Sequence, residues 1–393
     1  VSYSSKELRD AIAACESELR HPGTVLFSQG RYEIKRILGE GGMGITYLAD
    51  EYSAGNLKRP VVLKFVKDSL DAGRLDQFLN EVQLSILFNH PNLVPMFRLE
   101  SELLSIELPR RGSGSGRRRA HQHVVYYAVM QYIDGWNLRQ IVNRLKALKI
   151  LLNYDVAMFI VGRVARGLQY VHDYADADGT HLRLVHRDVS PENILIDRFA
   201  RIKVSDFGIT LTGRRRSESA LPHAGKLLYC SPEQLEGGPL DHRSDIYNIG
   251  LLLYFLFTNT DRFGLEAAFP DARNRIRNRM RQPVQGELAH VDESFARICG
   301  VCLQEDPEER YQSCEDMAND IDIGLTERGK VVTNEQLEEI FSDLFTSAPS
   351  FVSRRFIPLT GSAVLEQPGY DPQQDPPPAA PPARVDTAPM DPI

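Results

Sequence analysis

Asp188, Asn193 and Asp206 are three oxygen-bearing side chains that lie close together in the chain. They occur in His186-Arg187-Asp188-Val189-Ser190-Pro191-Glu192-Asn193 and in Asp206-Phe207-Gly208. Between them, the apolar stretches Ile194-Leu195-Ile196 and Ile202-Lys203-Val204 flank the turn Asp197–Arg201, a pattern that predicts a β-hairpin. Pairing these stretches would carry the three side chains to one end of the hairpin. Two carboxylates and an amide converging there would suit magnesium, a hard ion that takes such oxygens and keeps phosphate oxygens as further ligands. A solvated Asp- and Asn-rich turn would contain the same residue types, so the decision falls to the rest of the chain.

The elements that would have to position this chemistry come earlier. Tyr32–Leu38 and Ile45–Ala49 read as strands around Gly39-Glu40-Gly41-Gly42-Met43-Gly44. G-x-G-x-x-G alone also fits a dinucleotide turn, but there a helix would follow. The strand-like pattern after Gly44 favours a hairpin whose backbone N–H groups approach phosphates closely. Val61–Val66 is an apolar strand with Lys64 in its middle, and a buried lysine is costly unless paired. Gln77–Phe88 has Phe78, Val82 and Ile86 at helical spacing, and its Glu81 is the predicted partner.

Composition sets the outer bounds. The chain has 393 residues, 42% hydrophobic and 25% charged, as in globular proteins. A formal net charge of −7 argues against general nucleic-acid affinity. Five scattered cysteines suit a reducing, cytoplasmic setting, and Cys299-Gly-Val-Cys302 fits a buried helix face better than a redox or zinc site. The longest apolar run, Ile246–Thr258, is too short to span a bilayer and reads as a buried helix. Ser4–Arg20 reads as an amphipathic helix within an N-terminal extension, 1–30. The stretch 107–123, rich in Arg, Gly and Ser, reads as a flexible basic insertion between the strands Leu93–Leu99 and Val124–Gln131. Leu138–Leu148 and Tyr154–Tyr174 read as helices, and Thr210–Gly225 as a mobile loop. A further helix is expected within 328–352 and a Pro-rich, disordered tail over 353–393.

The ordered set Gly39/Gly41/Gly44, Lys64, Glu81, Asp188, Asn193, Asp206 and Ser231-Pro232-Glu233, spanning roughly Tyr32 to Leu325, resembles the bacterial Hanks-type serine/threonine protein kinases. The resemblance implies an α+β, bilobal fold over 31–327, with a β-rich N-lobe to about 133 and a helical C-lobe from 134. It implies phosphoryl transfer from ATP, with Mg2+, to Ser/Thr hydroxyls of protein substrates, and autophosphorylation of the activation loop, with Ser217 and Ser219 as candidates. Leu38, Thr46, Val62, Met130 and Leu195 would line the adenine pocket, with Gln131–Ile133 as hinge. Lys64, paired with Glu81, would hold the phosphates; Asp188 would take the hydroxyl proton; Asn193 and Asp206 would hold magnesium. Glu233 would pair with Arg310, and Asp245 would brace the catalytic loop. The sequence departs from the family pattern in having Ser190 two residues after the base, where Lys is usual, and Lys226 after Gly225, where Thr is usual. The exchange suggests that Lys226 supplies the charge that Ser190 lacks; the alternative is that Lys226 faces solvent or reads acidic substrate side chains. The alternative reading is a pseudokinase or nucleotide-binding scaffold.

Overall fold

The computed structural model of the chain describes residues 21–26, 31–41, 44–53, 57–66, 71–108, 119–208, 210–211, 227–264, 271–345 and 356–358. The N-lobe is an antiparallel sheet of six strands: β1 (Val25–Leu26), β2 (Arg31–Glu40), β3 (Gly44–Tyr52), β4 (Lys58–Val66), β5 (Met96–Leu108) and β6 (Arg119–Gln131), in the order β1-β2-β3-β4-β6-β5. Tyr32, Ile34, Tyr47, Phe65 and Tyr127 bury one cluster on it. Helix α1 (Ala72–Ser85) is started by Asp71, whose carboxylate accepts the Gly73 and Arg74 N–H groups. It packs Phe78 and Val82 against Val66 and Ala128.

The helical C-lobe begins after β7 (Gly135–Asn137). It comprises α2 (Leu138–Leu148), β8 (Ile150–Leu152), α3 (Tyr154–His172), β9 (Leu184–Val185), β10 (Ile194–Asp197), β11 (Ile202–Val204) and β12 (Thr210–Leu211). There follow α4 (Pro232–Glu236), α5 (Arg243–Thr258), α6 (Ala272–Met280), α7 (Glu293–Cys302), α8 (Cys314–Glu327), α9 (Asn334–Phe345) and β13 (Phe356–Pro358). Asn137 and Gln140 form a capping box on α2. Helix α5 is predominantly apolar, and every residue from Ser244 to Phe257 is buried, which makes it the axis of the lobe. Cys299 and Cys302 face this core, as their helical spacing predicts.

Several boundaries differ from the sequence reading. The fifth strand starts at Met96, because Leu93 and Val94 are drawn instead onto Val204. The hairpin of β5 and β6 stays in register out to Leu108 and Arg119, so the basic insertion is narrower than 107–123. Thr210–Leu211 pair with β9 at the start of the expected mobile loop. Within the expected tail, Phe356–Pro358 pair antiparallel with β8. The pairings of Leu93, Thr210–Leu211 and Phe356–Pro358 are long-range, and a two- or three-residue strand is too short for alternation to reveal. The expected helix at Ser4–Arg20 lies outside the described residues.

Candidate active site

Lys64 is placed by the centre of a sheet. Its strand β4 runs between β3 and β6, with Thr46 and Ala128 opposite it. The side chain is buried, and its Nζ lies 3.2 Å from Glu81 Oε1 and 2.8 Å from Asp206 Oδ1. Burial disfavours the ammonium, but the Asp206 and Glu81 carboxylates outweigh it and hold the Lys64 pKa above its ordinary value. Glu81 is also buried; burial leads in pushing its carboxyl upward, against the opposing pull of Lys64. One ammonium therefore joins a helix of the N-lobe to the Asp206 loop of the C-lobe.

The hairpin predicted between Asn193 and Asp206 is present, with Ile194, Leu195 and Ile196 opposite Val204, Lys203 and Ile202. Ser205 N–H donates to the Asn193 carbonyl at 2.8 Å and its Oγ donates to the same oxygen at 3.1 Å, which joins the two loops at the hairpin's end. Asn193 Nδ2 donates to the Asp188 carbonyl at 2.8 Å, an orientation that turns Oδ1 away from that carbonyl. Asn193 Oδ1 and the Asp206 carboxylate, with 43% of its side chain exposed, are a hard-oxygen donor set. Such a set fits a divalent ion that brings phosphate and water ligands with it. Among the described residues, no group of three or more His, Cys, Asp or Glu forms a complete metal cage.

Two residues of the site have a strained backbone. Arg187 has φ +68° and Asp206 φ +55°, left-handed values that cost non-glycine residues on the order of 1 kcal/mol or more. The carboxylate of Asp245 holds the first of these turns: Oδ2 accepts from His186 N–H and Oδ1 from Arg187 N–H, both at 2.8 Å. His172 Nε2 lies 2.8 Å from the same Oδ2. Burial would raise the Asp245 pKa, but His172, His186 and the His186 N–H hold it below the ordinary value. His186 is itself fully buried; its Nδ1 accepts the Asp188 N–H at 3.2 Å and its Nε2 lies 3.2 Å from the Ser205 carbonyl. Phe207 is buried between the His186 ring, 4.8 Å away, and the Phe88 ring, 5.6 Å away.

Val62 and Met130 are buried together with Val94, and Ile133, Tyr132 and Leu195 pack on them, so most of the expected adenine-pocket residues share one apolar cluster. Gln131 donates its N–H to the Pro95 carbonyl at 3.0 Å. Thr46 is half-buried beside Lys64 in the sheet, and Leu38 is 37% exposed near the end of β2. Gly39 pairs with Thr46, and Gly41 N–H bonds the Gly44 carbonyl at 2.9 Å. A Cβ on Gly44 would lie 2.0 Å from the Phe65 carbonyl oxygen, so only glycine fits there. Lys226, Ser217 and Ser219 lie outside the described residues. Glu233 receives a bidentate pair from buried Arg310 at 2.8 and 2.9 Å.

Sequence reading missed a second ionic centre beside the catalytic loop. Arg139 on α2 meets Glu192 Oε1 at 2.8 Å, both Asp261 oxygens at 2.8 and 2.9 Å, and the Tyr229 hydroxyl at 3.2 Å. Tyr229, just before Cys230-Ser231-Pro232-Glu233, donates its own hydroxyl to Asp261 at 2.5 Å. Gln234 donates to the Arg187 carbonyl at 2.9 Å, a further tie to the catalytic loop. None of these contacts has a local sequence signal.

Known protein kinases are similar to this chain in sequence and fold. The serine/threonine-protein kinase PrkC of Bacillus subtilis is 30% identical over 298 residues, 74% of this chain and 40% of that one. PknB of Mycobacterium tuberculosis is 29% identical over 299 residues, 74% of this chain and 42% of its own length. The tyrosine-protein kinase MasK of Myxococcus xanthus is 28% identical over 307 residues, covering 76% and 43%. The chain thus spans about two-fifths of these curated relatives. The crystal structure of the Mycobacterium tuberculosis PknI kinase domain has the same fold, with a TM-score of 0.51 and 21% identity over 77% of this chain and 98% of that one. Residues 32–320 match the protein kinase domain, and with well over half of its length in that match the chain belongs to the protein kinase family.

Proposed function

We propose that this chain transfers the γ-phosphoryl group of ATP, with Mg2+, to serine and threonine hydroxyls of proteins. The observation that carries the reading is the Lys64 ammonium held between Glu81 at 3.2 Å and Asp206 at 2.8 Å. That arrangement poises a fixed positive charge beside the metal-binding carboxylate. Lys64 orients the phosphates, and the backbone around Gly39, Gly41 and Gly44 covers them. Val62, Met130, Ile133 and Leu195 enclose the adenine, with Leu38 and Thr46 at its edge. Asn193 Oδ1 and Asp206 hold the magnesium ion, which when bound neutralises the charge that builds on the phosphates. Asp188 accepts the proton of the attacking hydroxyl as the new oxygen–phosphorus bond forms and ADP leaves. Lys226 adds a positive charge from the activation segment, and Ser217 and Ser219 are its autophosphorylation sites. The kinase domain is 31–327, preceded by an extension and followed by a helical segment and a Pro-rich tail.

PrkC and PknB are named serine/threonine kinases and MasK a tyrosine kinase, so the acceptor class needs direct measurement. The test is incubation with labelled ATP, magnesium and generic protein substrates, followed by phosphosite mass spectrometry, with Asp188→Asn as control. Label on Ser and Thr that vanishes in the control is the expected result. Label confined to Tyr would overturn the acceptor class. ATP binding without labelled product would favour the scaffold reading.

A further inference from the structure

Helix α9 begins beyond the span that matches the protein kinase domain, which ends at residue 320. It is nonetheless built into the C-lobe: Leu337, Ile340, Phe341 and Leu344 are buried in the lobe's main core. Arg144 on α2 donates Nε to the Leu344 carbonyl at 3.0 Å, satisfying an acceptor of the helix's last turn. At its end, Phe345 lies flat on Trp136, with ring centroids 4.1 Å apart and planes within 4°. Trp136 is the chain's single tryptophan.

The placement of Trp136 gives that stack a reach beyond its own contact. Trp136 follows the hinge residue Ile133 closely and sits in β7, directly opposite Ile196 of β10. On the same pair of strands Asn137 is opposite Leu195, and Leu195 packs with Val62, Met130 and Ile133 in the apolar pocket. Residues alternate faces along a strand, so Ile196 points into the C-lobe core while Leu195 faces the pocket. The two strands are paired in antiparallel register and approach closely: a Cβ on Gly135 would come 2.0 Å from the Ile196 carbonyl oxygen. A displacement of Trp136 is therefore passed to β10, which carries the pocket floor at Leu195 and starts beside Asn193.

We propose that Phe345 is a positioning residue for the nucleotide site, acting through Trp136, and that α9 sets nucleotide affinity from behind the hinge. The inference rests on the ATP-dependent reading above. Mg-ATP affinity of the full chain is measured by displacement of a fluorescent ADP analogue, alongside kcat, the KM for protein substrate and Trp136 emission. Phe345→Ala is expected to shift the emission to the red and to weaken Mg-ATP binding about three- to tenfold, the scale of one lost aromatic pair. Phe345→Leu, which keeps apolar bulk without a ring, is expected to weaken it too, and Phe345→Tyr to restore it to within about twofold. The kcat at saturating ATP and the KM for protein substrate are expected to move less than about twofold. If the ring-less variants shift Trp136 emission yet bind Mg-ATP as tightly as the wild type, the inference is wrong and α9 serves stability alone. An emission unchanged in Phe345→Ala also overturns it, because the stack would then not exist in solution. Failure of the wild-type chain to bind nucleotide would remove the phosphotransfer reading first, before any variant is compared.

Discussion

Lys64 bears charge in a place where charge is expensive, and its two carboxylates make that tolerable. Lys64→Met removes the ammonium and leaves Glu81 buried without that counter-ion, so kcat/KM is expected to fall by about two orders of magnitude or more. Asp206→Ala and Asp188→Asn are expected to lose as much in initial-rate assays, and a near-normal rate for Asp188→Asn would remove it as the base. His186 gives a pH dependence. Burial pushes its pKa below the ordinary 6.5, so it is neutral in the folded state. Its Nδ1 accepts the Asp188 N–H, and a proton on that nitrogen would break the bond. A depressed histidine pKa means the unfolded chain binds the proton first, so stability is lost as pH falls below about 6.5. Melting curves between pH 7.5 and 5.5 (a range set by the ordinary histidine value) are expected to drop for the wild type and to flatten for His186→Gln. An equal slope in both would exclude His186 as the source. These residues were legible in sequence because the pattern that marks them is local. Arg139 was not: Glu192 is 53 residues away and Asp261 122, and a lone arginine on an amphipathic helix reads as solvated.

Whole loops in this site are held by single side chains on rigid elements. The catalytic loop hangs from α5 through Asp245, which accepts two backbone N–H groups of a left-handed turn and also meets His172. Asp245→Ala orphans three donors, two of them buried, so a stability loss on the order of 3–5 kcal/mol is expected by denaturant melts, together with lost activity. A loss below about 1 kcal/mol would mean the loop has other support. Arg139 joins α2, the catalytic loop and the end of the activation segment through Glu192, Asp261 and Tyr229. Arg139→Ala leaves the Asp261 carboxylate against a buried phenol whose pKa burial already raises strongly. Because the Tyr229 contact lies on the segment leading to Ser231-Pro232-Glu233, kcat/KM for protein substrate is expected to fall about tenfold while the KM for ATP stays nearly constant. An equal change in both would assign Arg139 to the lobe as a whole. At this scale the hairpin after Asn193 and helix α2 were legible, since periodicity and turn residues agree there. Strand ends were not, because β7, β9, β12 and β13 are two or three residues long and exist through partners far away in the chain.

The two lobes meet at the hinge and again behind it, and the second joint carries the last prediction. The stretch from Asn89 to Val94 belongs to the N-lobe connection but is fastened to the C-lobe. Asn89 N–H donates to the Tyr170 hydroxyl at 3.1 Å, and the His90 ring stacks on Tyr170 at 5.3 Å. Asn92 Nδ2 donates to the Ile202 carbonyl at 2.9 Å, while Val204 exchanges backbone bonds with Asn92 and Val94 at 2.8 and 2.9 Å. Lys203, buried in β11, donates Nζ to the Pro91 carbonyl at 3.0 Å and the Leu93 carbonyl at 3.2 Å. Burial pushes its pKa down, so those carbonyls offset only part of the cost of its charge. Methionine would keep the apolar stem and leave the carbonyls without this donor. Lys203→Met is therefore expected to cost about 1–3 kcal/mol in denaturant melts. The same joint sets how Lys64 of one lobe meets Asp206 of the other, at 2.8 Å. Loosening it is expected to raise the KM for ATP and lower kcat together, unlike Arg139→Ala, which acts on protein substrate. Asn92→Ala removes a neighbouring bond of the same joint, so the double variant is expected to lose less than the sum of the singles. Strict additivity, or a Lys203→Met enzyme that is less stable yet kinetically unchanged, would show that the lobes are aligned by the hinge and the Lys64–Asp206 pair alone.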